Sequence, residues 1–197
     1  MEIKKVLISE VKNVVRIHEK SFKGFFLTTL GSGFLKSYYT ILLKDKGTTF
    51  VGCYIDHELA GFCSVANHSN GYNKRLIKSN IFHFIVIGLK LVMSKPASII
   101  RLNKNLDKKS SISDRGEYCE VVSIAVAENF QGKGLGGEML FFIEKKLKKE
   151  KYNKLSLTTD FYNNGPALVF YKKNGYKILS DFYTYPKRKM YRFIKNL

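Results

Sequence analysis

Apolar and polar positions alternate with a period of two over seven stretches rich in β-branched and aromatic residues: Lys5–Ile8, Thr48–Ile55, Leu59–Ala66, Tyr118–Val126, Leu155–Thr159, Tyr176–Phe182 and Met190–Ile194. This spacing predicts half-buried strands. Only Asp56, His57 and Glu58 separate the second stretch from the third, so the two should form an antiparallel hairpin. Helical spacing takes over elsewhere. Val11, Val14, Val15 and His18 share one face of a helix predicted over Glu10–Ser21 with Ser9 as its cap, and a second helix after Gly33 carries Phe34, Leu35, Tyr38, Ile41 and Leu42. Between them Phe22–Leu30 reads as an aromatic loop, in which Phe25, Phe26 and Thr28 are candidate substrate contacts. Residues 67–115 read as an inserted helical lobe. It holds an apolar helix over Ile81–Met93, a break at Pro96 and a polar run from Asn103 to Lys109. No repeat or linker divides the chain, so 1–197 is expected to be one domain.

The densest chemical signal follows the fourth strand. Ala127–Phe130 leads into Gln131-Gly132-Lys133-Gly134-Leu135-Gly136-Gly137, and a helix runs on through Glu138–Leu147. A strand, a glycine turn and a new helix in that order allow the backbone to approach a diphosphate, whose charge the unpaired amides and the helix dipole then hold. The P-loop pattern fails, because its early glycine is Ala127 and the residue after Lys133 is Gly134. The dinucleotide fingerprint is matched by Gly132, Gly134 and Gly137, with Asp160 as a ribose-binding acid. Four residues before the first glycine, an antiparallel hairpin upstream and a short remainder after Asp160 count against it.

Charge changes the picture of partners less than its size suggests. The chain carries a formal +18, yet 28 of its 34 basic residues are lysine and six are arginine. Lysine is a solvated point charge, whereas base-edge and bidentate phosphate recognition favour the arginine fork. A lysine-rich surface with no specific nucleic-acid partner is therefore expected. With 45% hydrophobic residues, 15 Phe and 12 Tyr, disorder is excluded. Cys53, Cys63 and Cys119 form no C-x-x-C pair, the charged N-terminus lacks a signal-peptide pattern, and a reducing cytoplasm is the expected location. His18, His57, His68 and His83 show no metal-ligand spacing, so no metal is expected and each reads as packed or exposed.

Gln131, Gly134 and Gly136 also satisfy Gln/Arg-x-x-Gly-x-Gly/Ala, and Gln131 is the only glutamine in the chain. With Asn164, Ala167, Phe170-Tyr171 and Gly175-Tyr176 downstream, the stretch from Tyr118 to Tyr176 resembles the GNAT acyltransferase superfamily. The resemblance implies an α/β (α+β) fold, with a central mixed, mostly antiparallel, twisted sheet of about six to seven strands flanked by helices. It implies acetyl-CoA as donor and an amine, less readily a hydroxyl, as acceptor, acetylated by direct attack in a ternary complex. Acetyl-CoA would lie in the splay between the Tyr118–Val126 and Leu155–Thr159 strands, on Ile124 and Val126, with its diphosphate on Gln131, Gly132, Lys133, Gly134, Leu135 and Gly136. Asn164 and Tyr171 lie seven residues apart, within about 20° on one helical face, and would face the thioester. Tyr171 is the candidate acid and Glu120 the candidate base, the latter because a period of two places it on the face of Val122, Ile124 and Val126. Asp160 is a further candidate. The aromatic, basic rim suggests an amino sugar or another anionic small molecule as acceptor. A non-catalytic basic module of the same fold, bound to RNA or to an anionic membrane through Ile81–Met93, is the alternative; that segment reads first as a buried inserted helix. Homodimerisation stays open.

Overall fold

The structure, a computed structural model, describes residues 1–85 and 116–197. Its framework is one seven-stranded sheet ordered β1-β2-β3-β4-β5-β7-β6, with β1 Glu2–Lys5, β2 Thr48–Ile55, β3 Glu58–Ala66, β4 Cys119–Val126, β5 Lys154–Asp160, β6 Lys177–Thr184 and β7 Arg188–Asn196. The β2–β3 hairpin forms as expected. Every neighbouring pair is antiparallel except β4–β5. A dinucleotide fold needs a parallel, doubly wound sheet, so this topology removes that reading of the glycines.

Helices cover both faces. One layer holds α1 (Val11–Ser21), α2 (Phe26–Thr29), α3 (Ser32–Lys44) and α4 (Tyr72–Ser79), which pack Val14, Leu35, Tyr39, Leu42 and Leu76 onto Phe50 and Phe62 of the sheet. The other holds α5 (Leu135–Lys149) and α6 (Gly165–Lys173), which pack Met139, Leu140, Ile143, Leu147 and Tyr171 onto Cys63, Val65, Leu155 and Phe193. Both faces of β2 and β3 are therefore buried. This is why nearly every residue of those strands is apolar or small.

Three expectations about local structure are corrected. The first strand lies earlier than Lys5–Ile8, because Val6 is buried while Leu7 and Ile8 are exposed and the chain already turns into a 3-10 segment at Ile8–Glu10. Ser9 does not cap α1; the Glu10 carboxylate instead accepts the Leu7 N–H at 2.8 Å and the Tyr54 hydroxyl at 2.8 Å, fixing the entry to the helix. Phe22–Leu30 is not all loop, since α2 forms a helical turn within it.

The expected lobe begins as part of the core: Tyr72 and Leu76 of α4 are buried, and Phe84 packs beside them. A helical turn follows at 81–85, where Phe82 is 80% exposed and Phe84 is partly buried. The rest of Ile81–Met93, the Pro96 break and the polar run at Asn103–Lys109 lie outside the described residues. No helix among the described residues is long and apolar enough to cross a membrane. The three cysteines are free and buried.

Candidate active site

The parallel pair β4–β5 is held only at Cys119↔Leu155, Glu120↔Ser156 and Val121↔Leu157. Beyond Val121 the two strands part, and the edge of β4 from Val122 to Val126 has no β5 partner. Unpaired strand edges carry unsatisfied amides and carbonyls. Within a sheet interior this leaves a cleft able to pair with an extended ligand.

Two cavities open from this splay. The first, of about 340 Å³, is lined by Ile124, Ala125 and Val126, by Phe130, Gln131, Gly132, Gly134, Leu135 and Gly136, and by Phe170 and Tyr171. Gly132 and Gly134 adopt φ of +76° and +78°, and open space lies where a Cβ would stand. The turn thus requires the left-handed conformation that glycine adopts without strain. Gly136 is confined for another reason: a Cβ there would stand 3.1 Å from Phe170 Cζ, and that ring would have to shift to admit it. The loop enters α5 through Gly134, directing the first amides of a fifteen-residue helix at the cavity. Gln131 Nε2 donates to the Val126 carbonyl at 3.1 Å, tying loop to strand. Lys133 does not line the cavity; its ammonium lies 5.3 Å from the centre of the Phe130 ring.

The second cavity, of about 560 Å³, lies between β4, β5 and the α1–α2 segment. Phe25 and Phe26 stand on its wall. Thr28 does not; its hydroxyl donates to the Phe22 carbonyl at 2.6 Å and braces the turn. Asn164 and Tyr171 share this wall. Asn164 immediately precedes α6 and donates to Thr159 Oγ1 at 2.5 Å, and Tyr171 lies two turns along the helix. Tyr171 lines both cavities. Burial raises its phenol to about 12, with Cys63 adding a smaller push in the same direction, so the hydroxyl keeps its proton at neutral pH.

Glu120 is not where strand periodicity puts it. The β3–β4 register steps from Ser64↔Ser123 to Val65↔Val121, leaving Val122 as an extra residue in a β-bulge. A bulge shifts the alternation by one, so Val122 packs with the α1–α3 layer whereas Ile124 and Val126 pack with the α5–α6 layer. The Glu120 carboxylate accepts the Ser69 hydroxyl at 2.6 Å and faces Arg192 Nη1 at 3.4 Å. It lines neither cavity.

Sequence reasoning also missed two features of this second cavity's wall. Asp160 is held by both arms of the Arg188 fork, through Nε and through Nη2 at 2.5 Å, and the guanidinium lies 4.5 Å from the centre of the Phe25 ring. Asp160 and Arg188 are 28 residues apart, and only the β5–β7 register, which sets Asp160 opposite Met190, brings them together. His18 also lines the cavity, 3% exposed, with Nδ1 2.6 Å from the Tyr39 hydroxyl. Its place at the end of the α1 apolar face, just before Ser21 and Phe22, was the available signal. Among the described residues no cluster of His, Cys, Asp or Glu could hold a metal ion.

A cleft between two parting parallel strands, closed at one end by a glycine turn and a helix N-terminus, accords with the sequence of residues 13–176, which matches the acetyltransferase (GNAT) family. The chain belongs to that family. Solved structures with this fold include the ribosomal-protein-S18-alanine N-acetyltransferase of Escherichia coli (11% identity, TM-score 0.62, covering 99% of this chain and 92% of that one). A ribosomal-protein-alanine N-acetyltransferase from Brucella melitensis is similar at 12% identity and a TM-score of 0.64, covering 100% of each chain. The PaiA N-acetyltransferase of Thermoplasma acidophilum, solved in complex with coenzyme A, is similar at 15% identity and a TM-score of 0.56, covering 100% of this chain and 98% of that one. At these identities the likeness is one of fold. No curated protein matches the chain.

Proposed function

We propose that this GNAT protein moves an acetyl group from acetyl-CoA to a small-molecule amine by direct attack in a ternary complex. The observation that carries the reading is the position of Tyr171, shared by the glycine-loop cavity and the aromatic cavity. A donor whose diphosphate rests on Gln131–Gly136 and whose pantetheine follows the free edge of β4 at Ile124 and Val126 delivers its thioester to that junction. The amine reaches it from the other side.

The reaction needs a neutral amine, a polarised carbonyl and a proton source for the departing thiolate. Tyr171 serves the last need. A phenol held near 12 is a weaker acid than a thiol of about 8.5, so it stabilises the developing thiolate first as a hydrogen-bond donor and completes proton transfer late. Asn164 orients the adjoining wall through Thr159.

The acceptor wall refines the substrate class. Among its described residues the only ionised side chains are Asp160 and Arg188, and they neutralise one another beside Phe25 and Phe26. This favours an amine on an apolar or aromatic body, with at most one anionic group beside Arg188, over the amino sugar or other anionic molecule that the aromatic, basic rim suggested.

Thiol release from acetyl-CoA across a panel of aryl-alkyl amines, polyamines, amino sugars and peptides tests the reading. Turnover of at least one amine is expected, with aryl-alkyl amines ahead of nucleotide sugars. Acetyl-CoA binding without turnover of any amine would support the non-catalytic alternative, and absence of both would end the donor assignment.

A further inference from the structure

A third cavity, of about 460 Å³, lies away from the splay, where β1 ends and β2 begins. Its wall is drawn from Lys5 of β1, Leu43 to Lys46 at and just beyond the end of α3, Thr48 to Val51 of β2, and Phe142 and Lys146 of α5. It shares no residue with the two cavities of the cleft, and neither of those has a lysine on its wall, whereas this one has four. Two of the four have local reasons to be there. Lys44 lies in the last turn of α3, where the helix dipole favours a cation, and Lys146 is paired with Glu150. Lys5 and Lys46 lie outside any helix, and no acid pairs with them among the described residues. The one acid on the wall, Asp45, is already engaged: it accepts the Thr48 hydroxyl at 2.7 Å, and Arg75 stands close by, its Nη2 3.0 Å and Asp45 Oδ2 3.2 Å from where a Cβ on Gly47 would lie. Like charges converging on a concave wall repel one another and draw a counter-charge into it.

We propose that this cavity is a second ligand site, which takes a small organic phosphate carrying more than one negative charge. The charge follows from the lysine excess. Phosphate follows from the kind of cation, since ammonium groups serve a phosphate as point charges, and no arginine on the wall supplies the fork that matches a carboxylate. An organic body follows from size and lining. A volume of about 460 Å³ lies within the range of small-molecule sites, about 300–1,000 Å³, and exceeds what a bare ion needs. Leu43 and Phe50 form part of the wall, and Phe142, 38% exposed, leaves ring surface for a ligand to cover. The fold opens the space because β1 stops at Lys5, opposite Val51, while Thr48, Thr49 and Phe50 run on with no strand on that side among the described residues. No group of the acetyl-transfer site lies on this wall, so the proposal is independent of that reading.

Calorimetric titration of ATP, inorganic pyrophosphate and citrate into the whole protein tests the proposal, with CoA in excess to occupy the glycine loop. ATP is expected to bind at one saturable site, ahead of pyrophosphate, with citrate weakest. The Lys44→Gln/Lys46→Gln double variant should weaken ATP by about tenfold or more, and Lys5→Gln/Lys46→Gln, which changes no helical residue, should do the same. Lys154→Gln/Lys177→Gln removes equal charge from exposed positions on β5 and β6 and should alter the affinity by less than about threefold. Phe142→Ser should weaken ATP and leave pyrophosphate unmoved. All the substituted lysines are exposed, so every variant should melt as cooperatively as wild type. Failure of both phosphates to bind, citrate ahead of ATP, equal losses in the cavity and control variants, or an ATP affinity untouched by Phe142→Ser each overturns the assignment. Sedimentation with phosphatidylglycerol vesicles in the absence of ATP binding overturns it too, in favour of a membrane surface.

Discussion

At the scale of single residues the site depends on side chains whose burial sets their protonation. Burial lowers His18 from 6.5 to about 4, so between those values the unfolded chain binds a proton that the native state refuses. Stability must therefore rise with pH across that window and level off above about 6.5, by about 3 kcal/mol from this residue alone. Chemical denaturation between pH 4 and 7 should show the rise, and His18→Phe should remove that share of it; an unchanged slope in the variant would show that His18 titrates normally. The glycine loop makes a different demand. Gly134→Ala forces a side chain into φ +78°, a strain of about 1–2 kcal/mol, and should weaken acetyl-CoA binding several-fold in a calorimetric titration. Gly132 and Gly134, with Gln131, were legible because the turn chemistry is local: few residues other than glycine enter a helix through the left-handed region. His18 was not legible as part of the site. A histidine on an apolar helical face looks like any packed histidine until the fold places that face on a cavity.

At the scale of elements, the cleft exists because β4 and β5 stay paired for only three registers. Behind it, one side chain of α5 bonds both to β7 and to Tyr176, just before β6. The Glu144 carboxylate accepts from Lys195 Nζ at 2.6 Å and from the Tyr176 hydroxyl at 2.9 Å. Replacing Glu144 by Leu strands both donors, and a destabilisation of about 2–4 kcal/mol is expected from leaving a partly buried charge and a hydroxyl unpaired; urea melts would read it. The strands, the hairpin and the main helices could be read from periodicity because most run in one regular phase. Periodicity failed at Glu120, where the bulge at Val122 inserts a residue and reverses the phase. It also failed at the start of α1, where Ser9 lies within a 3-10 segment whose entry is held by the Glu10 carboxylate reaching back to the Leu7 N–H. Neither a bulge nor a reaching side chain leaves a signature in the spacing of apolar residues. The Asp160–Arg188 pair was hidden for a third reason: it depends on a cross-strand register and not on sequence proximity.

At the scale of the whole molecule the chain carries an excess of 18 positive charges, whereas the described wall of the second cavity pairs its one acid with its one arginine. A polyanionic donor such as acetyl-CoA gains from the surrounding field as it approaches, and that contribution is screened by salt. The KM for acetyl-CoA should rise several-fold between 0.05 and 0.5 M NaCl while kcat changes little; a salt-independent KM would show that the lysine coat has no part in donor capture. Sequence composition gave the number and kind of the charges, but it could not show that the described wall of the second cavity would be aromatic with its two charged side chains paired. In the proposed reaction donor and acceptor meet at Tyr171 in one complex. Initial rates over a grid of acetyl-CoA and amine concentrations, with product mass recorded, test it most directly. Intersecting double-reciprocal lines, one N-acetylated amine per CoA released, and a loss of about a hundredfold or more in kcat for Tyr171→Phe are the results expected. Parallel lines with an acetylated form of the protein, or undiminished turnover by Tyr171→Phe, would contradict it.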